Sequence, residues 1–279
     1  MNRIYRSNLY IRLMMIVLVS GAFLLSLLFA AWPDAPHWIK SLTQYVLLFG
    51  LPSFLFMRWF HLDLSSIGAR LPKRPVLMAM LAVPFAFLIQ PPLMLISAVM
   101  ERFFPNPVAV SMTSILADPL PLALLGTAIL PAVFEEWVCR GIYLCGYRDR
   151  HPLLAAFFSA LVFAMIHLNL HQFLYAFCFG FVIALACVYT GSLLFPVLVH
   201  AIVNGTQILT AYYDLALFPD KTGSLALVSL ICLVPILGIL LLLRGKQEKP
   251  NYDTSLDLRS MLPLAQAFLI FLLMVLLLR

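Results

Sequence analysis

The sequence contains nine apolar runs, each of about the 17–25 residues or more that an α-helix needs to cross a lipid bilayer. In chain order, the runs cover residues 10–32, 42–60, 76–100, 119–147, 152–169, 172–190, 192–213, 224–243 and 261–278. Lipid offers the backbone no hydrogen-bond partners, so spanning segments have to be helices or strands of a closed barrel. Runs of this length predict an all-α fold, a polytopic transmembrane helix bundle of about eight to nine spans.

The composition of the 279-residue chain agrees with a membrane domain. Hydrophobic residues make up 63% of the chain and charged residues 11%, whereas soluble domains have roughly 45–50% and 25%. The stretches between the runs are too short for a soluble domain, so we expect residues 1–279 to form a single integral membrane domain. The first run exceeds the apolar region of a signal peptide, about 7–15 residues, and predicts an uncleaved first span.

The positive charges predict the orientation, because lysine and arginine accumulate in cytoplasmic loops. With the N-terminus inside, 13 of the 18 lysines and arginines fall in cytoplasmic segments and four in outer segments, and Arg140 lies within a span. This bias predicts a cytoplasmic N-terminus, cytoplasmic loops at 61–75 and 244–260, and an outer C-terminus. The net charge is +6, but the basic residues lie in short segments between apolar runs, so we expect membrane lipids as partners and no nucleic acid. The turn at 190–192 carries no charge, so it is the weakest point in the predicted alternation of cytoplasmic and outer segments.

Three polar clusters interrupt the apolar runs, and ionisable side chains within spans are costly and usually functional. The clusters are Glu135, Glu136 and Arg140, then His167, and then His200 with Asn204. Residues four apart share one face of a helix, so Glu136 is expected to pair with Arg140, and His200 to lie beside Asn204. Glu135 is rotated from Glu136 by about 100°, which leaves it as the working carboxylate.

The clusters have the chemistry of amide hydrolysis, which needs an activated water and donors for the developing oxyanion. Glu135 is suited to be the general base, and His167 to hold the same water. His200 and Asn204 are suited to donate to the oxyanion. Taken singly, Glu135 also fits a proton relay or ion pathway, and His167 and Asn204 also fit hydrogen bonds between helices. His171, in the short outer turn after His167, is expected to be solvated.

Together the clusters resemble the motifs of the CAAX-protease/bacteriocin-processing (CPBP or Abi) family of intramembrane endopeptidases, which includes the Ras-converting CAAX endopeptidases. Members carry EExxxR, FxxxH and HxxxN on successive helices. The matching residues here are Glu135, Glu136 and Arg140, then Phe163 and His167, and then His200 and Asn204. The resemblance covers about 119–213, which it identifies as the catalytic core helices.

The resemblance implies an endopeptidase that hydrolyses a peptide bond near or within the bilayer, on a peptide or protein substrate that enters from the membrane. It implies that Glu135 is the catalytic glutamate, that His167 binds the same water, and that His200 and Asn204 stabilise the oxyanion. Glu136 and Arg140 have supporting roles. Because the chain is short and lacks large loops, it looks most like the bacterial members, which implies a multi-pass protein of a bacterial inner or cell membrane. A prenylated substrate is not implied.

Two alternatives remain open. Glu135, His167 and His200 are the ligand types of a His₂Glu zinc site, which would make the protein a metalloprotease. The histidines lie on different helices, not in an HExxH pair. Because Arg140 is expected to pair with Glu136, no other carboxylate within the spans is left to orient a histidine ligand. We therefore expect a glutamate-dependent enzyme without a cofactor. The other alternative is a transporter or immunity factor, although we find no inverted repeat of the kind transporters carry.

Overall fold

The structure is a computed structural model, and it describes residues 2–69, 71–72, 74–244 and 256–277. Every regular element within these ranges is a helix. The helices are α1 (Arg3–Ala30), α2 (His37–Trp59), α3 (Pro75–Met100), α4 (Pro107–Leu116), α5 (Leu120–Tyr143), α6 (Pro152–Met165), α7 (Leu170–Thr190), α8 (Leu194–Tyr213), α9 (Thr222–Arg244) and α10 (Leu258–Leu277). The predicted all-α bundle is confirmed.

The surface of the bundle is apolar, as a protein embedded in lipid requires. Eight of the helices described, all except α4 and α6, are long and apolar enough to cross a membrane. Helix α9 leaves Leu230, Val234 and Leu242 at least 66% exposed. Apolar side chains in such continuous arrays are stable when lipid covers them, so the protein is an integral membrane protein.

The fifth predicted span, 152–169, is shorter than expected. Helix α6 has 14 residues, fewer than the roughly 17–25 needed to cross the bilayer. The apolar run continues, but the helix ends because Leu168 adopts a positive φ of 55° and turns the chain. Thus the fifth predicted span is a short helix whose C-terminal end stops inside the bundle.

Helix α4 was not predicted, because residues 101–118 separate two apolar runs. Its start nevertheless has a local signal. The side chain of Asn106 accepts hydrogen bonds from the backbone N–H groups of Val108 and Ala109 at 3.1 and 3.2 Å. Pro107 occupies the first turn, where its missing N–H costs nothing. An asparagine followed by proline is a helix-start pattern that sequence reasoning can recognise.

The helices pack so that α5 occupies the interior. Helix α1 packs against α10, α3 packs against α8 and α9, and α6 packs against α7, while α5 contacts α1, α2, α6 and α8. The polar clusters of α5 are therefore enclosed by other helices and shielded from lipid.

One end of the bundle, which we call the arginine-rich end, carries Arg3, Arg6 and Arg148 around a small pocket of about 100 Å³. The loop between α2 and α3 closes over this pocket. The carbonyl of Gly68, in that loop, accepts a hydrogen bond from the N–H of Leu193 at 3.1 Å. The uncharged turn at 190–192 therefore lies at the arginine-rich end. The predicted alternation of cytoplasmic and outer segments assigns this turn to the same side as the arginine-rich segments.

The end of α5 is tied into this region by a buried polar network. The hydroxyls of Tyr143 and Tyr147 donate to the side-chain oxygen of Asn8 at 3.0 and 2.8 Å. The amide of Asn8 donates to the carbonyl of Ser260 at 2.7 Å, which connects α10. Both tyrosines are fully buried, so this end of α5 is enclosed by protein on all sides. Residues 245–255, including most of the predicted loop 244–260, lie outside the described ranges.

Candidate active site

A cavity of about 760 Å³ occupies the interior, lined by residues from helices α2 to α8. Its lining contains all four of the predicted catalytic residues: Glu135, His167, His200 and Asn204. The cavity extends from these residues to Glu101 and Asn106 and to the segment 215–218, at the end of the bundle opposite the arginine-rich end. The structure thus brings together side chains from three helix regions that are up to 70 residues apart in sequence.

Glu136 is the buried centre of an ion-pair network. Its Oε1 accepts from Nη1 of Arg140 at 3.0 Å, and the same oxygen lies 2.8 Å from Nδ1 of His200. The predicted pairing of Glu136 with Arg140 is confirmed. The expectation that Arg140 would leave Glu136 unavailable to a histidine was wrong, because one carboxylate oxygen has two lone pairs and accepts from two donors.

Arg140 is held in place by α6 and α7 as well. Its Nη2 donates to the carbonyl of Gly180 at 2.9 Å, and its guanidinium lies 4.3 Å from the ring centroid of Phe163. A Cβ atom at position 180 would lie 3.0 Å from Nη2 and 3.1 Å from the Phe163 ring. The glycine therefore allows α7 to approach the guanidinium closely enough for the hydrogen bond.

Phe163 also positions both histidines. The imidazoles of His167 and His200 pack edge-on against its ring, with centroids 5.0 and 5.7 Å away. The Nδ1 of His167 lies 2.7 Å from the carbonyl oxygen of Phe163, which can only accept, so Nδ1 carries the proton. The Nδ1 of His200 is likewise directed at Glu136. Both rings therefore use Nδ1 for a contact within the protein.

Glu135 presents its two carboxylate oxygens to different partners. Oε1 accepts a hydrogen bond from the hydroxyl of Tyr45 at 2.7 Å. Oε2 lies 4.0 Å from Nε2 of His200, which is beyond direct hydrogen-bond distance. Tyr45 was not predicted as a site residue, because a lone tyrosine in an apolar run gives no signal that distinguishes it from an ordinary core or interface residue.

The comparison with family models gives a match to this region. The model described as type II CAAX prenyl endopeptidase Rce1-like matches residues 117–206. Residues 117–206 of the chain are therefore similar to the CAAX protease family. The Rce1-like segment contains all three sequence motifs, including both glutamates, both histidines and Asn204. Neither the curated proteins nor the solved structures gave a match.

Within the Rce1-like segment, Asn204 is anchored to the backbone of α5. Its Nδ2 donates to the carbonyl of Thr127 at 3.1 Å. Pro131, four residues after Thr127, has no N–H to donate to that carbonyl. The proline therefore leaves the Thr127 carbonyl open to the side-chain amide of Asn204.

Three widened π-helical turns adjoin the site, and such turns occur frequently at functional sites. One, Tyr45–Gly50 in α2, carries Tyr45. The others, Leu125–Ile129 and Trp137–Tyr143 in α5, carry Thr127 and Arg140. The Rce1-like segment thus departs from α-helical geometry at Thr127, whose carbonyl contacts Asn204, and at Arg140, which contacts Glu136.

His171 belongs to the cavity wall, so the expectation that it is solvated was wrong. It is 1% exposed, and its Nε2 lies 3.5 Å from the hydroxyl of Ser97 in α3. The short α6 explains the difference, since the turn between α6 and α7 folds into the bundle instead of projecting from it.

Proposed function

We propose that the protein is an intramembrane endopeptidase in which Glu135 activates the water that hydrolyses the peptide bond. The observation that carries the proposal is the 4.0 Å separation of Glu135 Oε2 and His200 Nε2 in the cavity that His167 and Asn204 also line. The similarity of residues 117–206 to a CAAX protease model supports proteolysis as the reaction class. The roles of the individual residues are our assignment.

In the first step, Glu135 takes a proton from water while the water oxygen attacks the carbonyl carbon of the substrate. The free Nε2 of His167 accepts a hydrogen bond from the second O–H of this water and thereby orients the water. The water-carbon bond forms, the carbonyl π bond breaks, and a tetrahedral oxyanion results. General bases placed in this way contribute typically about 10²–10⁴-fold to the rate.

The oxyanion is stabilised by His200 and Asn204. His200 donates through Nε2 if the ring carries both protons, and Asn204 donates its second N–H. With His200 protonated, the charges of Glu135, Glu136, Arg140 and His200 sum to zero, which limits the cost of burying them together. In the second step, protonated Glu135 gives its proton to the leaving nitrogen, the carbon–nitrogen bond breaks, and Glu135 is ionised again.

We further propose that the substrate is a peptide segment that reaches the cavity from the membrane or from the end opposite the arginine-rich end. The lysine and arginine bias supports a cytoplasmic location for the arginine-rich end. In that orientation, the loops at 101–106 and 215–218 at the far end of the cavity face away from the cytoplasm. Apolar lining residues such as Phe49, Met94 and Phe179 suit a hydrophobic peptide segment.

A zinc-dependent protease is the second candidate, and one observation favours it. The contact of Glu136 with Nδ1 of His200 at 2.8 Å is the carboxylate–histidine arrangement that orients metal ligands in many proteins. Against it, the described part of the chain contains no group of three or more His, Cys, Asp or Glu side chains placed to hold a metal ion. Elemental analysis of the purified protein decides between the two: about one zinc per chain, with activity lost on chelation and restored by zinc, would replace the glutamate mechanism.

The proposal is tested by comparing the membrane peptides of cells that express the wild type, Glu135→Ala or Asp149→Asn. Asp149 is an exposed carboxylate at the arginine-rich end, so its replacement serves as the matched control. We expect peptides that are produced by the wild type and the control and are missing with Glu135→Ala. Identical peptide sets in all three would contradict proteolysis and favour a non-enzymatic role such as transport or immunity.

A further inference from the structure

The hydroxyl of Tyr45 contacts the carboxylate on which the proposed function depends. Its Oη lies 2.7 Å from Oε1 of Glu135, and the ionised carboxylate can only accept, so the hydroxyl donates. Hydrogen bonds to ionised groups are stronger than those between neutral groups. This bond joins α2, which lies outside the Rce1-like segment, to α5.

The ring of Tyr45 is held so that the hydroxyl reaches the carboxylate. Its centroid lies 5.1 Å from that of Phe49 and 6.0 Å from that of Phe134, with which it stacks. Phe134 directly precedes Glu135, so the stacking aligns the two polar groups. A Cβ atom on Gly50 would lie 2.7 Å from the Phe134 ring, which means that the glycine permits α2 to approach α5 this closely.

The backbone around Tyr45 supports the same placement. Tyr45 is the first residue of the π-helical segment Tyr45–Gly50. A π-helical turn contains an additional residue, so it rotates the following side chains relative to a regular α-helix. Gly50, which contacts the Phe134 ring, is the last residue of this segment. The widened turn therefore contains both the ring of Tyr45 and the glycine that lies against Phe134.

We propose that Tyr45 is a positioning residue that holds Oε1 of Glu135 and thereby turns Oε2 toward Nε2 of His200. The terminal torsion of a glutamate is broad and has no sharp rotamer wells. Without the hydroxyl, the carboxylate rotates and spends less time with a lone pair directed at the reacting water. The inference rests on the proposed function, because it assigns Tyr45 its role through Glu135.

The test is the Tyr45→Phe variant, which removes one oxygen atom and keeps the ring stacking. We expect kcat on a cleaved peptide to fall about 10-fold to 100-fold, the effect of losing a hydrogen bond to an ionised group, with KM unchanged within about twofold. In a Glu135→Gln background, the same substitution should cause no further loss, because residues that act as one unit are not additive. Gly50→Ala, which displaces Phe134, should also lower kcat without changing KM.

Tyr10→Phe is the matched control. The hydroxyl of Tyr10 is bonded to that of Ser53 at 2.6 Å in the buried core, and its removal should leave kcat unchanged. The inference is overturned if Tyr45→Phe keeps kcat within twofold of the wild type, changes KM alone, or loses no more activity than Tyr10→Phe. A further loss in the Glu135→Gln background equal to that in the wild type would also overturn it. A wild type that cleaves nothing, or a fully active Glu135→Gln variant, would instead overturn the proposed function, and this inference with it.

Discussion

Removal of Arg140 should destabilise the protein strongly. The guanidinium and the Glu136 carboxylate are both fully buried and 3.0 Å apart. Arg140→Ala removes one of the two cations that balance the buried Glu135 and Glu136 carboxylates. Breaking a buried pair in this way costs about 3–5 kcal/mol. The lost hydrogen bond to the Gly180 carbonyl and the lost contact with the Phe163 ring add to the same cost. Activity should fall too, since Glu136 also orients His200.

The free energy of unfolding can be measured by titrating SDS into detergent micelles that contain the purified protein. Arg3→Ala is the matched control, because the Arg3–Asp149 pair has nearly the same distance, 2.9 Å, but side chains 55% and 70% exposed. An exposed pair contributes about 0–1 kcal/mol. Adding Glu136→Gln to Arg140→Ala should recover part of the lost stability, because the buried charge is removed. Equal losses for Arg140→Ala and Arg3→Ala would refute the reasoning.

Three further predictions follow from the site and the ends of the bundle. Asn204→Ala should lower kcat by about 10²–10³ with little change in KM, as for the loss of one oxyanion donor; steady-state kinetics that instead show a raised KM alone would make Asn204 a substrate-binding group. Pro131→Ala restores an N–H that can bond the Thr127 carbonyl, so it should release Asn204 and lower kcat while the free energy of unfolding stays equal or rises; an unchanged kcat would contradict this. Cysteine labelling should reach Ser66→Cys from the cytoplasm and Ser114→Cys from outside, and the reverse pattern would invert the predicted orientation.

The fold class and the pairing of Glu136 with Arg140 were accessible from the sequence because both depend on local patterns. Apolar runs of spanning length predict helices, and i,i+4 spacing predicts the pairing of Glu136 with Arg140. The helix ends were less accessible, since α6 ends where Leu168 reverses the chain, although the apolar run continues through it. Hydropathy reports where a segment is stable in lipid, and it does not report where the helix ends.

The contacts between distant segments could not be read from the sequence. Tyr45 lies 90 residues before Glu135, and nothing in its local pattern indicates that the two meet. The contact of Glu136 with His200 joins residues 64 apart in sequence. It was not predicted, because Glu136 was assumed to have Arg140 as its one partner. The burial of His171 depends on the direction of the turn between α6 and α7, which is set by packing against α3.

The most direct test of the account is the turnover number of purified Glu135→Gln on a peptide that the wild type cleaves, measured in liposomes. Glutamine is nearly isosteric and keeps an oxygen for the Tyr45 hydroxyl, but it cannot take a proton from water. We predict that kcat falls by about 10²–10⁴, while the variant unfolds at the same SDS concentration as the wild type and Asp149→Asn retains full turnover. Near-normal turnover by Glu135→Gln would contradict the assignment of Glu135 as the base.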